Sequence, residues 1–234
     1  NQNSYADFVD QNPFVSPTMI VAPTDNKYDI YVGLKGKLAN AVAFNVRGSY
    51  NNEDNKALFV SNEFNPIYAN TEGYAFGNSF GVVYDNIKTM SIFGELKADF
   101  SKSTTFGISG TYNNFSSDTQ AEAWNLPQLK IASTLDIDIT EKWYAGASIF
   151  FVGERKDRIT VQDDLLVNPG TFSTQEVTLD SFFDLNAHLG YKYNKRLTAF
   201  LKGNNLANQQ YNRWANFPVQ GIQVLLGANY KFDF

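Results

Sequence analysis

The side chains that could do chemistry are few. One histidine, His188, and no cysteine occur among 234 residues, which removes disulfides, thiolate metal sites and thiol nucleophiles and leaves histidine-based metal or triad chemistry almost no material. His188 stands four residues from both Asp184 and Lys192, with Asp180 one such step earlier. On a strand these four share one face, and a solvated channel wall accounts for them as well as a proton relay does. Asp136 and Asp138 also share a face, but no histidine or nucleophile joins them. The run Glu154-Arg155-Lys156-Asp157-Arg158, followed by Asp163-Asp164, could meet lipopolysaccharide phosphates or a divalent cation, although such runs are usually solvated loops. Tyr211, Arg213, Trp214 and Phe217 are the best candidates for substrate recognition, because loop-borne aromatics beside an arginine bind ligands. No phosphate-loop glycine pattern, metal cluster or catalytic constellation emerges. Neither an enzyme nor a cofactor is expected.

Composition narrows the field further. Aromatic residues make up 15% of the chain and charged residues 18%, the latter below the roughly 25% usual for a soluble domain. A net charge of −5 gives no footprint for a nucleic-acid backbone. No run approaches the roughly 18 to 20 apolar residues of a membrane-spanning helix. That excludes helical spans only, because a transmembrane barrel hides its apolar surface in alternate residues of strands about ten long. Beginning at Asn1 with neither a basic region nor an apolar leader, the chain is expected to be a processed or partial product.

The elements that must hold the candidate residues are written in a period of two. Ile222, Val224, Leu226, Ala228, Tyr230, Phe232 and Phe234 alternate with positions that include Gln223, Asn229, Lys231 and Asp233. Residues 177–193 alternate in the same way and predict one strand of unusual length. Further strands are predicted over 28–38, 41–52, 104–115, 129–139, 143–154 and 196–205. Residues 78–100 invite a split at Asp85-Asn86, yet Phe80, Val82, Tyr84, Met90, Ile92, Leu96, Ala98 and Phe100 keep one phase across it. A hairpin has no reason to preserve phase, so a single long strand is expected. Helical periodicity is convincing nowhere. Residues 1–27, with Pro13, Pro17 and Pro23, read as an irregular extracellular segment holding at best a short strand near Tyr5–Val9.

The connections alternate in length. Short ones near Ala39-Asn40, Ser101-Lys102-Ser103, Thr140-Glu141-Lys142 and Asn194-Lys195 separate long ones at about 53–77, 116–128, 155–176 and 206–220. Short periplasmic turns and long external loops are the rule in outer-membrane barrels, and a soluble sandwich obeys no such rule. Tyr112, Trp124, Trp143, Tyr144, Tyr191, Tyr193, Tyr230 and Phe232 stand at strand ends, where barrel aromatics meet the headgroups. The fold class is therefore all-β: an antiparallel up-and-down transmembrane β-barrel, with about nine or ten strands in 28–234. Phe234 is expected to close a strand paired with 196–205, and the free edge of 221–234 to meet a strand from outside the chain rather than 28–38.

These residues also resemble a family. Leu201-Lys202-Gly203-Asn204-Asn205-Leu206-Ala207-Asn208-Gln209-Gln210-Tyr211 resembles the penultimate strand, and the "NL-x-N-x-x-Y" that follows it, of TonB-dependent outer-membrane receptors, especially those of Bacteroidetes. Gly221 through Phe234 resembles their last strand, and Ala123-Trp124-Asn125-Leu126-Pro127 a short motif before another late strand. The resemblance implies a 22-stranded barrel of which this chain supplies the C-terminal part, an outer-membrane location, and nutrient uptake driven through TonB. It implies that Tyr230, Phe232 and Phe234 form the signal read by the barrel-assembly machinery. The family's N-terminal plug and TonB-contacting box have no match in these residues. The expected partners are outer-membrane lipid and lipopolysaccharide, TonB indirectly, and the remaining strands and plug, from the same receptor or from another chain. An alternative reading is a plug-less barrel serving as a structural or docking component of an outer-membrane complex. A hydrolase lacks its Ser/His/Asp set.

Overall fold

The computed structural model describes residues 2–17, 19–62, 79–163 and 171–232. Strands account for 67% of the chain and helix for 3%. Nine strands form one antiparallel sheet: β1 (Asp25–Ala39), β2 (Val42–Ser61), β3 (Phe80–Ser101), β4 (Thr104–Ser117), β5 (Leu129–Asp138), β6 (Trp143–Val152), then β9 (Phe182–Lys192), β10 (Leu197–Asn204) and β13 (Gln223–Tyr230). Two hairpins stand apart from it, β7 (Arg155–Gln162) with β8 (Phe172–Leu179), and β11 (Asn212–Trp214) with β12 (Phe217–Pro218). Each hairpin fills a long connection, so every strand of the sheet still pairs with its nearest available neighbour.

Register turns the period of two into a single surface. Phe44 lies opposite Leu96, Leu96 opposite Ile108, Ile108 opposite Ser133, Ser133 opposite Ile149 and Ile149 opposite Leu185. A neighbouring row runs through Ile137, Ala145, Leu189, Leu201 and Leu226. Apolar residues of all nine strands thus share one face, and Val32, Ile92 and Leu226 leave 77%, 64% and 76% of their surface uncovered there. A water-soluble sheet would bury that face; one bathed in lipid exposes it. The opposite face carries Lys35, Asn45, Glu95, Ser109, Thr134, Ser148, His188 and Lys202.

Phe80–Ser101 is one continuous strand, as its phase requires. The polar middle is spliced by a bulge in β2, where the register shifts between Glu53 and Lys56 and Asn55 adopts a φ of 52°. Beyond the bulge, β2 and β3 form an arm buried on both faces. Phe80 packs with Phe8, Val15 and Trp214 on one side, while Leu58, Val60 and Ile87 pack with Trp124 on the other.

Three expectations need correction, the first being the connection expected from about residue 53, where β2 instead continues as far as Ser61 in pairing with β3. Residues 177–193 are not one strand: β8 ends at Leu179, β9 begins at Phe182, and β8 leaves the sheet to pair with β7. The N-terminal segment holds no strand at Tyr5–Val9 but a helix, α1 (Tyr5–Gln11). Ser4 caps it, its Oγ accepting the Asp7 N–H at 3.2 Å while Asp7 accepts the Ser4 N–H at 2.8 Å. Phe8 buries the helix against the arm, and Tyr84 fastens the chain that follows by donating to the Ile20 carbonyl at 2.8 Å. Tyr230 and Phe232 stack edge-on at 4.9 Å near the last strand end, whereas Phe234 lies outside the described residues. The pairing of β13 with β10, Leu197 opposite Tyr230, is as the sequence predicts. Among the described residues β1 and β13 have no second partner.

Candidate functional site

At the end of the sheet that carries the long connections, the loops fold onto one another around two buried charges. Arg155 opens β7 and donates from Nη1 to the Arg213 carbonyl at 3.0 Å and from Nη2 to the Asn212 carbonyl at 2.7 Å. Asp157, two residues along the same hairpin, accepts the Ala215 N–H at 2.7 Å and the Arg158 N–H at 2.8 Å. The β7–β8 hairpin thereby clamps the β11–β12 hairpin by its backbone. Burial pushes the Asp157 carboxyl above its ordinary range and the Arg155 guanidinium below its own. Within the acidic and basic run Arg155 and Asp157 are therefore structural, whereas Glu154 is exposed. Lys156 pairs with Glu176 at 2.8 Å at the surface, and Arg158 donates to Gln120 Oε1 at 3.3 Å. Asp163 ends the described part of the loop, and Asp164 lies outside it.

Of the four residues expected to recognise substrate, Tyr211, Arg213 and Trp214 line one cleft and Phe217 does not. Trp214 is only 7% exposed and packs on Phe80 at 5.6 Å, and Phe217 on Phe80 at 5.0 Å and on Phe14 at 4.7 Å. These two hold the hairpin to the arm. Tyr211, Arg213 and Trp214 line an open cleft of about 530 Å³ together with Lys130, Phe150, Arg155 and Phe182. Tyr211 stacks on Phe182 at 3.7 Å with the rings 5° from parallel, and its hydroxyl donates to Asp184 Oδ2 at 2.8 Å. Arg155 lies over the Phe182 ring at 5.3 Å, while Arg213 covers Trp214 at 4.9 Å. Burial first, then the bond to Asp184, pushes the Tyr211 phenol up to about 12. It stays a neutral donor at any ordinary pH. Cations and aromatic faces around a half-open cleft suit a ligand that is both flat and anionic.

The motif around Asn205 owes its residue types to this geometry. Asn205 is buried, donates to the Gln209 and Gln220 carbonyls at 3.1 and 3.0 Å, and accepts the Gln209 N–H at 3.1 Å. Asn205 and Asn208 adopt φ of 48° and 49°, the left-handed region that asparagine tolerates better than most residues. The loop so folded delivers Tyr211 to Phe182. Sequence reasoning missed Arg155, Asp157 and Phe182 as members of the site, and only the charge run offered a hint.

Of the four residues expected on one polar face, Asp184, His188 and Lys192 stand in one phase along β9 and Asp180 does not. Asp184 is buried at the loop end with Tyr211, and Asp180 sits in the break between β8 and β9, off the sheet. His188 lies opposite Gly146, where any Cβ would collide with its ring and come within 2.7 Å of Asp136 Oδ1. Lys192 lies 3.7 Å from Asp138 Oδ1 and over the Tyr144 ring at 5.3 Å, near the short-turn end. No group of three potential metal ligands occurs among the described residues.

No protein-family profile and no curated sequence matches the chain. Solved structures do. The chain is similar to the ferripyoverdine receptor of the outer membrane of Pseudomonas aeruginosa (TM-score 0.62, 14% identity, 87% of this chain and 27% of that one). It is similar to the siderophore receptor PirA from Acinetobacter baumannii (0.61, 17%, 87% and 31%) and to the ferric-catecholate import receptor Fiu from Escherichia coli K12 (0.59, 14%, 87% and 27%). The fold is that of outer-membrane receptor barrels. The chain spans between a quarter and a third of the length of these receptors.

Proposed function

We propose that the chain is part of the wall of a TonB-dependent outer-membrane receptor, residues 28–234 lying in the barrel and 1–27 outside the cell, and that the Tyr211–Arg213 cleft takes part in nutrient capture. The observation that carries this reading is the apolar face kept in register across nine strands, which only a lipid environment leaves uncovered. The barrel fold of siderophore receptors supports it, and the cations and aromatic rings of the cleft fit an anionic, partly aromatic nutrient complex. The link to Bacteroidetes members of the family rests on sequence motifs alone.

Membrane fractionation tests the first half. The protein should sediment with outer membranes and require detergent for extraction, and a water-soluble monomer would end the reading. Uptake tests the second half: Arg213→Ala should reduce ligand binding about tenfold in cells that still insert the barrel, and unchanged uptake would remove the cleft from the pathway. The open edges of β1 and β13 favour one further reading, a barrel segment that docks onto strands of another polypeptide. The intact mass of the subunit in its native membrane discriminates, since a second polypeptide would appear there as a separate species.

A further inference from the structure

The end of the sheet opposite the cleft carries a different chemistry. Three of its four short turns have a lysine at the tip: Lys102 between β3 and β4, Lys142 between β5 and β6, and Lys195 between β9 and β10. All three are exposed, and among the described residues none has an ion-pair partner. Each stands within two residues of a large aromatic on the lipid-facing phase of its strand. Phe100 is 71% exposed, Trp143 42% and Tyr193 62%. Of the acids nearby, Asp138 faces Lys192 at 3.7 Å, while Asp99, which accepts the Thr105 hydroxyl at 3.0 Å, and Glu141 are the local counter-charges. Arg196 and Lys231 add to the same end. The rim is basic although the chain as a whole carries −5.

We propose that Lys102, Lys142 and Lys195 form a cationic rim that binds acidic phospholipid headgroups of the bilayer leaflet at the short-turn end of the barrel. The inference rests on the membrane reading above. Aromatic rings beside the lysines place that level at the junction between hydrocarbon and headgroups, where amphipathic side chains settle. Sequential turns lie two strands apart, about 10 Å, so the lysines cannot converge on one small anion. A surface of many separate phosphates is what such spacing meets. Charge complementarity therefore selects lipid over a compact ligand.

The test uses the full receptor polypeptide, extracted from its native membrane in mild detergent, with co-purified lipid quantified by class. A Lys102→Gln, Lys142→Gln, Lys195→Gln variant and the equivalent triple arginine variant accompany it. The wild type should retain phosphatidylglycerol and cardiolipin over phosphatidylethanolamine, and the preference should fall as sodium chloride is raised. Each glutamine should weaken that preference roughly fivefold, and the arginine variant should keep it. Equal retention of acidic and zwitterionic lipid by the wild type overturns the proposal without reference to any variant, as does an unchanged preference in the glutamine variant. Loss of binding to isolated peptidoglycan with an unaltered lipid profile also overturns it and assigns the rim to the cell-wall polymer. A polypeptide that purifies as a water-soluble monomer fails at the earlier step, the membrane reading itself.

Discussion

Replacing Arg155 by methionine keeps much of the side chain's bulk while leaving the Asn212 and Arg213 carbonyls without their donors. The expected cost is about 1–3 kcal/mol, the penalty for orphaned buried acceptors. It should appear as faster amide exchange over 211–219 with β9 and β10 unchanged, and exchange unaltered across the hairpin would show that the clamp is not needed. Asp85 makes a second residue-scale prediction. Its carboxylate accepts the Thr119 and Gln120 N–H groups at 3.0 and 2.7 Å and the Thr119 hydroxyl at 2.8 Å, in the arm beyond the sheet's apolar band. Burial alone would raise its pKa, but the bonds from Gln120, Thr119 and Asn86 hold it below the ordinary 3.8. A depressed acid stabilises the fold above its unfolded pKa and loses that contribution as pH falls through the folded value. Acidification below that range should therefore free the 118–126 loop before the sheet, and Asp85→Asn should flatten the pH response of proteolysis there.

Elements show where sequence reasoning succeeds and where it stops. Alternation located the nine strands of the sheet because a sheet with one apolar and one polar face makes every second residue apolar, whatever the neighbouring strand is. The same rule misread 177–193. Leu179 and Phe183 keep one phase across Asp180-Ser181, just as Tyr84 and Met90 do across Asp85-Asn86, yet one site breaks and the other runs on. The difference lies in partners remote in sequence: Asp85 is anchored by the 119–120 backbone, whereas Lys156, Arg158 and their neighbours draw β8 away to β7. No local signal carries that information. The clamp around Arg155 was illegible for the same reason, since its acceptors lie 57 and 58 residues away. The α1 helix was legible in principle, because Ser4 and Asp7 form a capping pair ahead of Phe8, but seven residues give too few turns for apolar period to speak. Ser4→Ala should cost about 1 kcal/mol of local stability, read as faster exchange over 5–11. Equal exchange rates would mean that Phe8 burial alone holds the helix.

On the scale of the whole molecule, the lipid-facing reading separates two charges placed one residue apart. Leu96 sits within the apolar row between Phe44 and Ile108, and Glu95 points to the opposite face. Leu96→Arg should destabilise the inserted barrel by about 2–4 kcal/mol, measured by urea unfolding in bilayers, whereas Glu95→Arg should stay within about 1 kcal/mol as a lumen substitution. Similar losses at both positions would dissolve the distinction between the two faces. The long arm gives the molecule a further property. β3 has 22 residues, and at about 3.3 Å each it extends about 70 Å, while a tilted crossing of the hydrocarbon uses only about 9–11 residues. On the membrane reading proposed above, half of the strand, with β2 beside it and α1, Trp124 and Trp214 braced against it, stands clear of the bilayer as a stiff mast. An antibody or a phage tail approaching from that side would touch this protein before it touched the surrounding lipid.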